Sequence, residues 1–384
     1  MNSLILYELI HIIKIFLYQP LLYWSLFFII YTHIERKKRE QLQFRYSYVP
    51  LFAHFRKSAV TALLFGIVLS LITVGLGTVF TYEMITILTI VTFILTILFR
   101  HVAFSAIYPF AITFVLFYKL IPQSSVAYYD ISSLTFTGLM LIASVLLLYE
   151  GILLQKVDHT FCYPAITLSK RGKWYAFFNV KRVQLIPTLL LVPDGFLQPI
   201  AHIWPLFSLG TDSYGLILFP FVTGFRYKIK SELPLERVKK HGRVIFSLGL
   251  IVAILAIISY FYPSIVFVAI FIGVVGRMMI QVITMRMERK KPAKFVENDS
   301  YVQIVAIRPH SLAEKLSLAP GDVILHINEQ QIETVEQLDD VLATSDEITS
   351  LKVKSRSNTI RKISYSFTCS DRHELGVIIA AKPF

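Results

Sequence analysis

The segment LAPGDVILHIN, residues 318–328, combines a tight turn with a strand that is apolar on one face. Gly321 can adopt the backbone angles of a tight turn because it has no Cβ. The carboxylate of Asp322 can accept hydrogen bonds from backbone N–H groups around that turn. Apolar residues then alternate along the chain, which is the period of a half-buried strand. The segment therefore predicts a turn and a β-strand within a small folded domain.

The sequence on both sides of this segment predicts the rest of a small α+β domain over residues 293–384. Charge is balanced here, with 14 basic and 14 acidic residues after residue 284. Val335, Leu338 and Leu342 recur at helical spacing and predict an amphipathic helix. The other predicted elements are a strand at 302–307, a short helix at 311–316 and strands at 323–328, 351–354, 360–367 and 375–380.

Ser311-Leu-Ala313, followed by residues 318–328, resembles the signature of bacterial PDZ domains. A PDZ domain binds an extended chain end as an added strand, and backbone N–H groups of an apolar-Gly-apolar loop hold its carboxylate. No such loop precedes Val302, but Leu375-Gly376-Val377 has that pattern near the other end. The resemblance therefore implies a circularly permuted PDZ domain, in which the carboxylate loop and the peptide-pairing strand come last.

This interpretation predicts a peptide-binding groove between the strand 375–380 and the helix 335–342. Its ligand would be the C-terminus or an internal strand of another protein. The alternative is that Gly376 only forms a turn before an ordinary strand. The predicted peptide-binding residues are Leu375, Gly376, Val377 and Ile378 on the strand and Val335, Leu338 and Leu342 on the helix.

The region before this domain has the composition of a membrane protein. The chain of 384 residues is 55% hydrophobic and 16% charged, whereas soluble domains are about 25% charged. A membrane-spanning helix needs about 20 apolar residues. We expect an α-helical polytopic membrane domain of about 7–9 spans over residues 1–284, joined to the PDZ-like domain by a basic linker at 285–292. The predicted runs are 15–31, 59–80, 84–99, 102–120, 134–154, 244–262 and 265–284.

The apolar stretch 183–225 is broken by prolines at 187, 193, 199, 205 and 220. Proline kinks or ends membrane helices, and non-helical backbone persists at membrane depth only where protein covers it. We expect two kinked helical passes or a re-entrant hairpin in this stretch.

The net charge of +13 lies entirely before residue 285, where 24 basic residues face 11 acidic ones in short loops. Cytoplasmic loops retain Lys and Arg, so loops 155–182 and 226–243 and the C-terminal domain are predicted to be cytoplasmic. A nucleic-acid-binding protein would concentrate this charge on one folded face, and no nucleic-acid partner is expected. The partner of the apolar region is the lipid bilayer.

Catalytic motifs are incomplete. A zinc protease needs HExxH, but His373-Glu374 is followed by Val377 where the second histidine would stand, and no GxSxG nucleophile motif occurs. Cys162 and Cys369 are far apart and form no metal-ligand pattern. Glu150 and Arg277 fall near predicted helix ends, where long charged side chains can extend to the interface. We therefore expect no enzyme, no cofactor and no metal.

The whole chain resembles the MinJ family of polytopic PDZ proteins of Gram-positive cell division. Besides the domain order, the resemblance rests on Tyr18-Gln-Pro-Leu-Leu-Tyr23 and the basic segment Ile34-Glu-Arg-Lys-Lys-Arg-Glu40. It implies a non-enzymatic membrane scaffold for division-site placement, located at septa and poles, with DivIVA-like and MinD-like cytoplasmic partners. Two alternatives stay open: a transporter with a regulatory PDZ domain, and a PDZ-containing regulator of a membrane protease.

Overall fold

A computed structural model describes residues 2–44, 51–98, 105–120, 133–158, 161–199, 204–207, 213–344, 347–367 and 372–382. Its N-terminal part is a bundle of apolar helices that surrounds a long β-hairpin. The helices are α1 (Asn2–Tyr18), α2 (Pro20–Phe44), α3 (Leu51–Leu76), α4 (Tyr82–Leu98), α5 (Ile107–Leu120), α6 (Ser133–Gln155), α7 (Pro234–Ile258) and α8 (Ile265–Lys290).

Within the described residues, four helical segments are long and apolar enough to cross a membrane: Phe55–Leu76, Thr135–Gln155, Pro234–Ile258 and Ile265–Lys290. The pair α1 and α2, bent by 60° where proline follows Gln19, adds a fifth if its two helices cross as one span. Helices α4 and α5 are apolar but shorter. The prediction of a membrane protein is confirmed. The span count of about 7–9 is not, and α8 continues as far as Lys290 through most of the predicted linker.

Of the two alternatives for residues 183–225, the kinked helical passes are wrong, because the described residues of this stretch form a β-hairpin. Strands β2 (Trp174–Leu197) and β3 (Tyr214–Ile229) form one antiparallel hairpin, from the pair Phe178 and Ile229 to the pair Pro193 and Tyr214. β1 (Cys162–Leu168) pairs with the start of β2 on its other edge. A short β4 (Phe295–Val296) also pairs with β2 and ties the segment after α8 to this sheet. The predicted loop 155–182 is thus largely β-structure.

Helix α3 covers the outer edge of β2 beyond the point where β1 ends. The Ser70 hydroxyl oxygen accepts a hydrogen bond from the Leu189 N–H at 2.9 Å, and the Thr73 hydroxyl donates to the Leu189 carbonyl at 2.6 Å. Pro187 has no N–H to satisfy. Its carbonyl lies against Gly66, where a Cβ would be only 2.3 Å from the oxygen. These contacts provide the protein cover that non-helical backbone needs in an apolar environment.

Further hydrogen bonds join the hairpin to the surrounding segments along its length. Gln19, at the bend between α1 and α2, donates to the Leu218 carbonyl of β3 at 2.9 Å. The Phe80 N–H, after α3, donates to the Leu191 carbonyl at 2.8 Å. The Gln184 side chain donates to the Ser58 carbonyl near the start of α3. From Gln184 to Leu191 the strand rises about 23 Å, most of the roughly 30 Å thickness of a hydrocarbon core.

Glu150 and Arg277 do not extend to an interface, so the prediction made for them is wrong. Both side chains are buried and form an ion pair at 2.7 Å between α6 and α8. Ser105 donates to the second carboxylate oxygen, and the Tyr227 hydroxyl of β3 lies 3.4 Å from the guanidinium. The pair therefore links two long helices to the hairpin.

The C-terminal domain has the predicted α+β composition. Strands β5 (Val302–Ile307), β6 (Val323–Ile327), β8 (Ile348–Lys354), β9 (Ile360–Phe367) and β10 (Val377–Ile379) form a sheet in the order β10-β5-β6-β8-β9, with β7 (Gln330–Gln331) beside β6. The helices are α9 (Leu312–Lys315), α10 (Val335–Thr344) and α11 (Arg372–Leu375).

The C-terminal sheet packs against the sheet of the N-terminal region. Val305, Ala306, Ile378 and Ala380 share one apolar cluster with residues of α2, β1, β2 and β4. The opposite face of the sheet carries the domain's own core. The two regions are thus joined by apolar packing as well as by β4.

Candidate peptide-binding groove

Strand β10 lies at the edge of the sheet. It pairs antiparallel with β5, with Val377 opposite Ile307 and Ile378 opposite Ala306. Among the described residues no strand pairs with its other edge. An edge strand presents unpaired backbone donors and acceptors, and a further chain can add to them. Of the predicted strand 375–380, residues 377–379 form a strand, in a position that can accept another strand.

The structure brings five of the predicted side chains into one cluster. Leu338 and Leu342 of α10 are fully buried against Leu375 and Val377. Val335 is half-buried and packs against the same core. These side chains fill the space between helix and strand and belong to the core of the domain.

Ile378 differs from the other predicted residues. Side chains alternate across a strand, and Ile378 lies on the opposite face from Val377 and Ile379, in the cluster that contacts the N-terminal region. Its side chain contributes to docking between the two sheets. Leu375 also departs from the prediction, because it ends the short helix α11 instead of starting the strand.

Gly376 has a positive φ of 83°, a conformation that glycine adopts without steric cost. Its carbonyl accepts a hydrogen bond from the Arg308 N–H at 2.8 Å. A Cβ at this position would lie 2.2 Å from the Cβ of Ser311. The requirement for glycine therefore arises inside the domain, and a larger residue here would perturb the fold before it could obstruct a ligand.

The end of the groove near the start of α10 is narrow. A small cleft of about 10 Å³ lies between Val335 and Ile379, and the segment 295–298 and Tyr301 also line it. A ligand strand must therefore enter from the side of α11 or displace this segment. Sequence reasoning missed this contact, because nothing in the composition of 295–301 indicates where it lies.

The turn that begins the second half of the domain has the predicted geometry. Gly321 has a φ of 101°, and the buried Asp322 carboxylate accepts a hydrogen bond from the Ala319 N–H at 3.0 Å. Arg361 of β9 donates to the same oxygen at 2.9 Å. The described residues contain no group of His, Cys, Asp and Glu side chains that could hold a metal ion.

Comparison with known proteins agrees with this geometry. A PDZ domain model matches residues 303–355. The chain is also 24% identical to the "Cell division topological determinant MinJ" of Bacillus subtilis strain 168, over 97% of this chain and 94% of that protein. The chain resembles MinJ over nearly its whole length. The similarity to MinJ includes the helical region as well as the PDZ domain, so it extends over both parts of the architecture.

Proposed function

We propose that this MinJ-like protein is a non-enzymatic membrane scaffold that helps to place the division site. Its C-terminal domain would recruit cytoplasmic division proteins of the DivIVA or MinD type, and the protein would concentrate at septa and poles. The similarity to a cell division topological determinant, together with a PDZ domain, carries this proposal.

We further propose that the PDZ domain is circularly permuted and that its groove lies between β10 and α10. The last strand, β10, is the sheet neighbour of the first strand, β5. Moving β10 and the preceding Gly376 ahead of β5 would restore the usual order, in which the glycine loop precedes the peptide-pairing strand. The edge position of β10 and the apolar packing of Leu338, Leu342 and Leu375 support this assignment.

The proposed topology places the C-terminal domain in the cytoplasm. Exposed basic side chains at Arg286, Arg289 and Lys290 follow the apolar part of α8, as expected for a cytoplasmic helix end. The two ends of the hairpin lie side by side at Phe178 and Ile229. Because the hairpin returns to its starting side, it keeps loops 155–182 and 226–243 together.

A charged substitution at the half-buried start of α10 tests the groove. Val335→Lys places a cation beside Ile379, and Ala343→Lys places one on an exposed position of the same helix. In full-length fluorescent fusions, we expect Val335→Lys to lose septal and polar enrichment while staying in the membrane. Ala343→Lys should keep the original pattern, and equal behaviour of the two variants would contradict the groove assignment.

Pull-down of purified DivIVA-type and MinD-type proteins by the detergent-solubilised full chain tests the partner. If the groove captures a carboxylate, extra residues after the partner's C-terminus should abolish binding. If it accepts an internal strand, the extended partner should bind as before. Retention of both partners by the Val335→Lys variant would show that recruitment does not use this groove.

A further inference from the structure

A cleft of about 650 Å³ lies between the sheet of β1, β2 and β3 and the last turns of α8. It is separate from the PDZ groove. Its volume is within the range of about 300–1,000 Å³ that is usual for small-ligand sites. The lining residues are Thr167, Tyr175, Phe177, Arg226, Tyr227, Lys228, Lys230, Gln281, Thr284, Met285, Glu288 and Arg289.

Four cationic side chains line this cleft. Arg226 and Lys228 alternate along β3 and so lie on one face of the strand, and Lys230 follows directly after the strand ends. Arg289 joins them from α8. In the described part of the chain, Lys228, Lys230 and Arg289 form no ion pair, and the Lys228 ammonium lies 5.7 Å from the centre of the Phe177 ring. Lys228, Lys230 and Arg289 are therefore available to an anion in the cleft.

The single carboxylate in the lining is already engaged. Glu288 accepts hydrogen bonds from the Lys230 N–H at 3.0 Å, the Ser231 N–H at 3.2 Å and the Ser231 hydroxyl at 2.8 Å. The Arg237 guanidinium lies 3.6 Å from the same carboxylate. Since these partners offset its charge, Glu288 does not cancel the positive field of the cleft.

The cleft opens at the polar end of a membrane-spanning helix. Met279 and Ile283 on α8 are exposed apolar side chains, whereas Arg286, Arg289 and Lys290 are exposed cations. This change from apolar to cationic surface along one helix is typical of the boundary between hydrocarbon and headgroups. Met285, at the mouth of the cleft, is exposed as well.

We propose that this cleft binds the phosphate headgroup of an anionic phospholipid. Lys228, Lys230 and Arg289 would donate charge-assisted hydrogen bonds to the phosphate oxygens. The glycerol and acyl chains would leave the cleft along the apolar surface of α8 near Met285. Basic clefts at the headgroup level of membrane helices suit such ligands. The proposal goes beyond the scaffold function, because it needs neither the PDZ groove nor a division partner.

Thermal unfolding of the delipidated full chain in a neutral detergent tests this site. Short-chain phosphatidylglycerol should raise the midpoint temperature, because a ligand that binds the native state stabilises it by mass action. Short-chain phosphatidylcholine at the same concentration should not. The triple variant Lys228→Gln, Lys230→Gln, Arg289→Gln should weaken the apparent affinity for phosphatidylglycerol by roughly tenfold or more.

A matched variant controls for the loss of three charges. Arg286→Gln, Lys239→Gln and Arg243→Gln remove the same charge from exposed positions on α7 and α8 that line no part of the cleft. This control should keep the full response to phosphatidylglycerol. If the triple cleft variant does not fold, the single variants Lys228→Gln and Arg289→Gln replace it, since both side chains are exposed.

Three results would overturn the proposal. An equal loss in the cleft and control variants would mean that lipid binds the surface charge diffusely. An equal shift with inorganic phosphate at the same concentration would mean that the site takes free phosphate and not a lipid. No shift with phosphatidylglycerol would exclude the site altogether. None of these results bears on partner recruitment, so failure here leaves the proposed function unaffected.

Discussion

The β-hairpin and the C-terminal domain show two different relations between sequence and structure. In the C-terminal domain the strands at 302–307 and 360–367 have the predicted bounds, because alternation and turn residues specify them locally. In the hairpin, residues 185–193 and 214–222 are mostly apolar, and the kinked helical passes that were one of two predictions for this stretch are strands. A continuous apolar run does not distinguish a buried helix from a buried strand by periodicity.

The elements that pack against an apolar run decide whether it forms a helix or a strand. Helix α3 supplies hydrogen-bonding partners and a glycine to the outer edge of β2, and these residues lie more than a hundred positions earlier in the chain. The C-terminal domain, in contrast, closes its turn with Asp322 and Ala319, three residues apart. The hairpin should therefore depend on distant side chains, and the domain on nearby ones.

We expect the largest effect when the buried ion pair between Glu150 and Arg277 is lost. Glu150→Ala leaves the Arg277 charge buried without its partner, which costs about 3–5 kcal/mol. Amide hydrogen exchange followed by mass spectrometry should show lost protection in peptides from 214–229, because Arg277 contacts Tyr227. Peptides from 302–355 should be unchanged.

The exposed pair between Glu236 and Arg356 is the control. Glu236→Ala should cost at most about 1 kcal/mol, as solvent-exposed pairs contribute little. If Glu150→Ala lowers protection from hydrogen exchange equally in both regions, the hairpin and the C-terminal domain fold as one unit. The contrast drawn between them would then be wrong.

A smaller effect is expected from Gly66→Ala. The added methyl group would lie 2.3 Å from the Pro187 carbonyl oxygen, so the hairpin must move away from α3, at a cost of about 1–3 kcal/mol. Gly75→Ala on the same helix meets no atom within 4 Å, and it should be neutral or stabilising by up to about 1 kcal/mol. Thermal unfolding in detergent measures both, and equal midpoints would argue against close packing of α3 on β2.

The smallest effect is expected from Ser70→Ala. This change removes the acceptor of the Leu189 N–H, and side-chain hydrogen bonds in membrane proteins contribute about 0.6 kcal/mol on average, up to about 1.7. Hydrogen exchange at Leu189 should accelerate. Thr86→Val is the matched control, because that exposed hydroxyl bonds only within its own helix. Unchanged exchange at Leu189 would mean that α3 does not protect this edge of the hairpin.

The candidate site was predictable in part. Leu338, Leu342, Leu375 and Val377 share one core as the spacing of apolar residues indicates. Ile378 could not be placed, because its neighbours come from β2 and β4 of the other region. The sequence also could not show why residue 376 must be glycine, since Ser311 approaches it only after β10 has paired with β5. The groove assignment itself stays a prediction.

The sequence by itself determined the membrane character and the PDZ elements. These follow from composition and from turn and strand patterns, which act over a few residues. Only the tertiary structure decided the hairpin, the buried pair of Glu150 and Arg277, and the basic cleft beside β3. An apolar segment adopts whichever backbone its surroundings can satisfy, and a charge is buried only where a partner from elsewhere in the chain meets it.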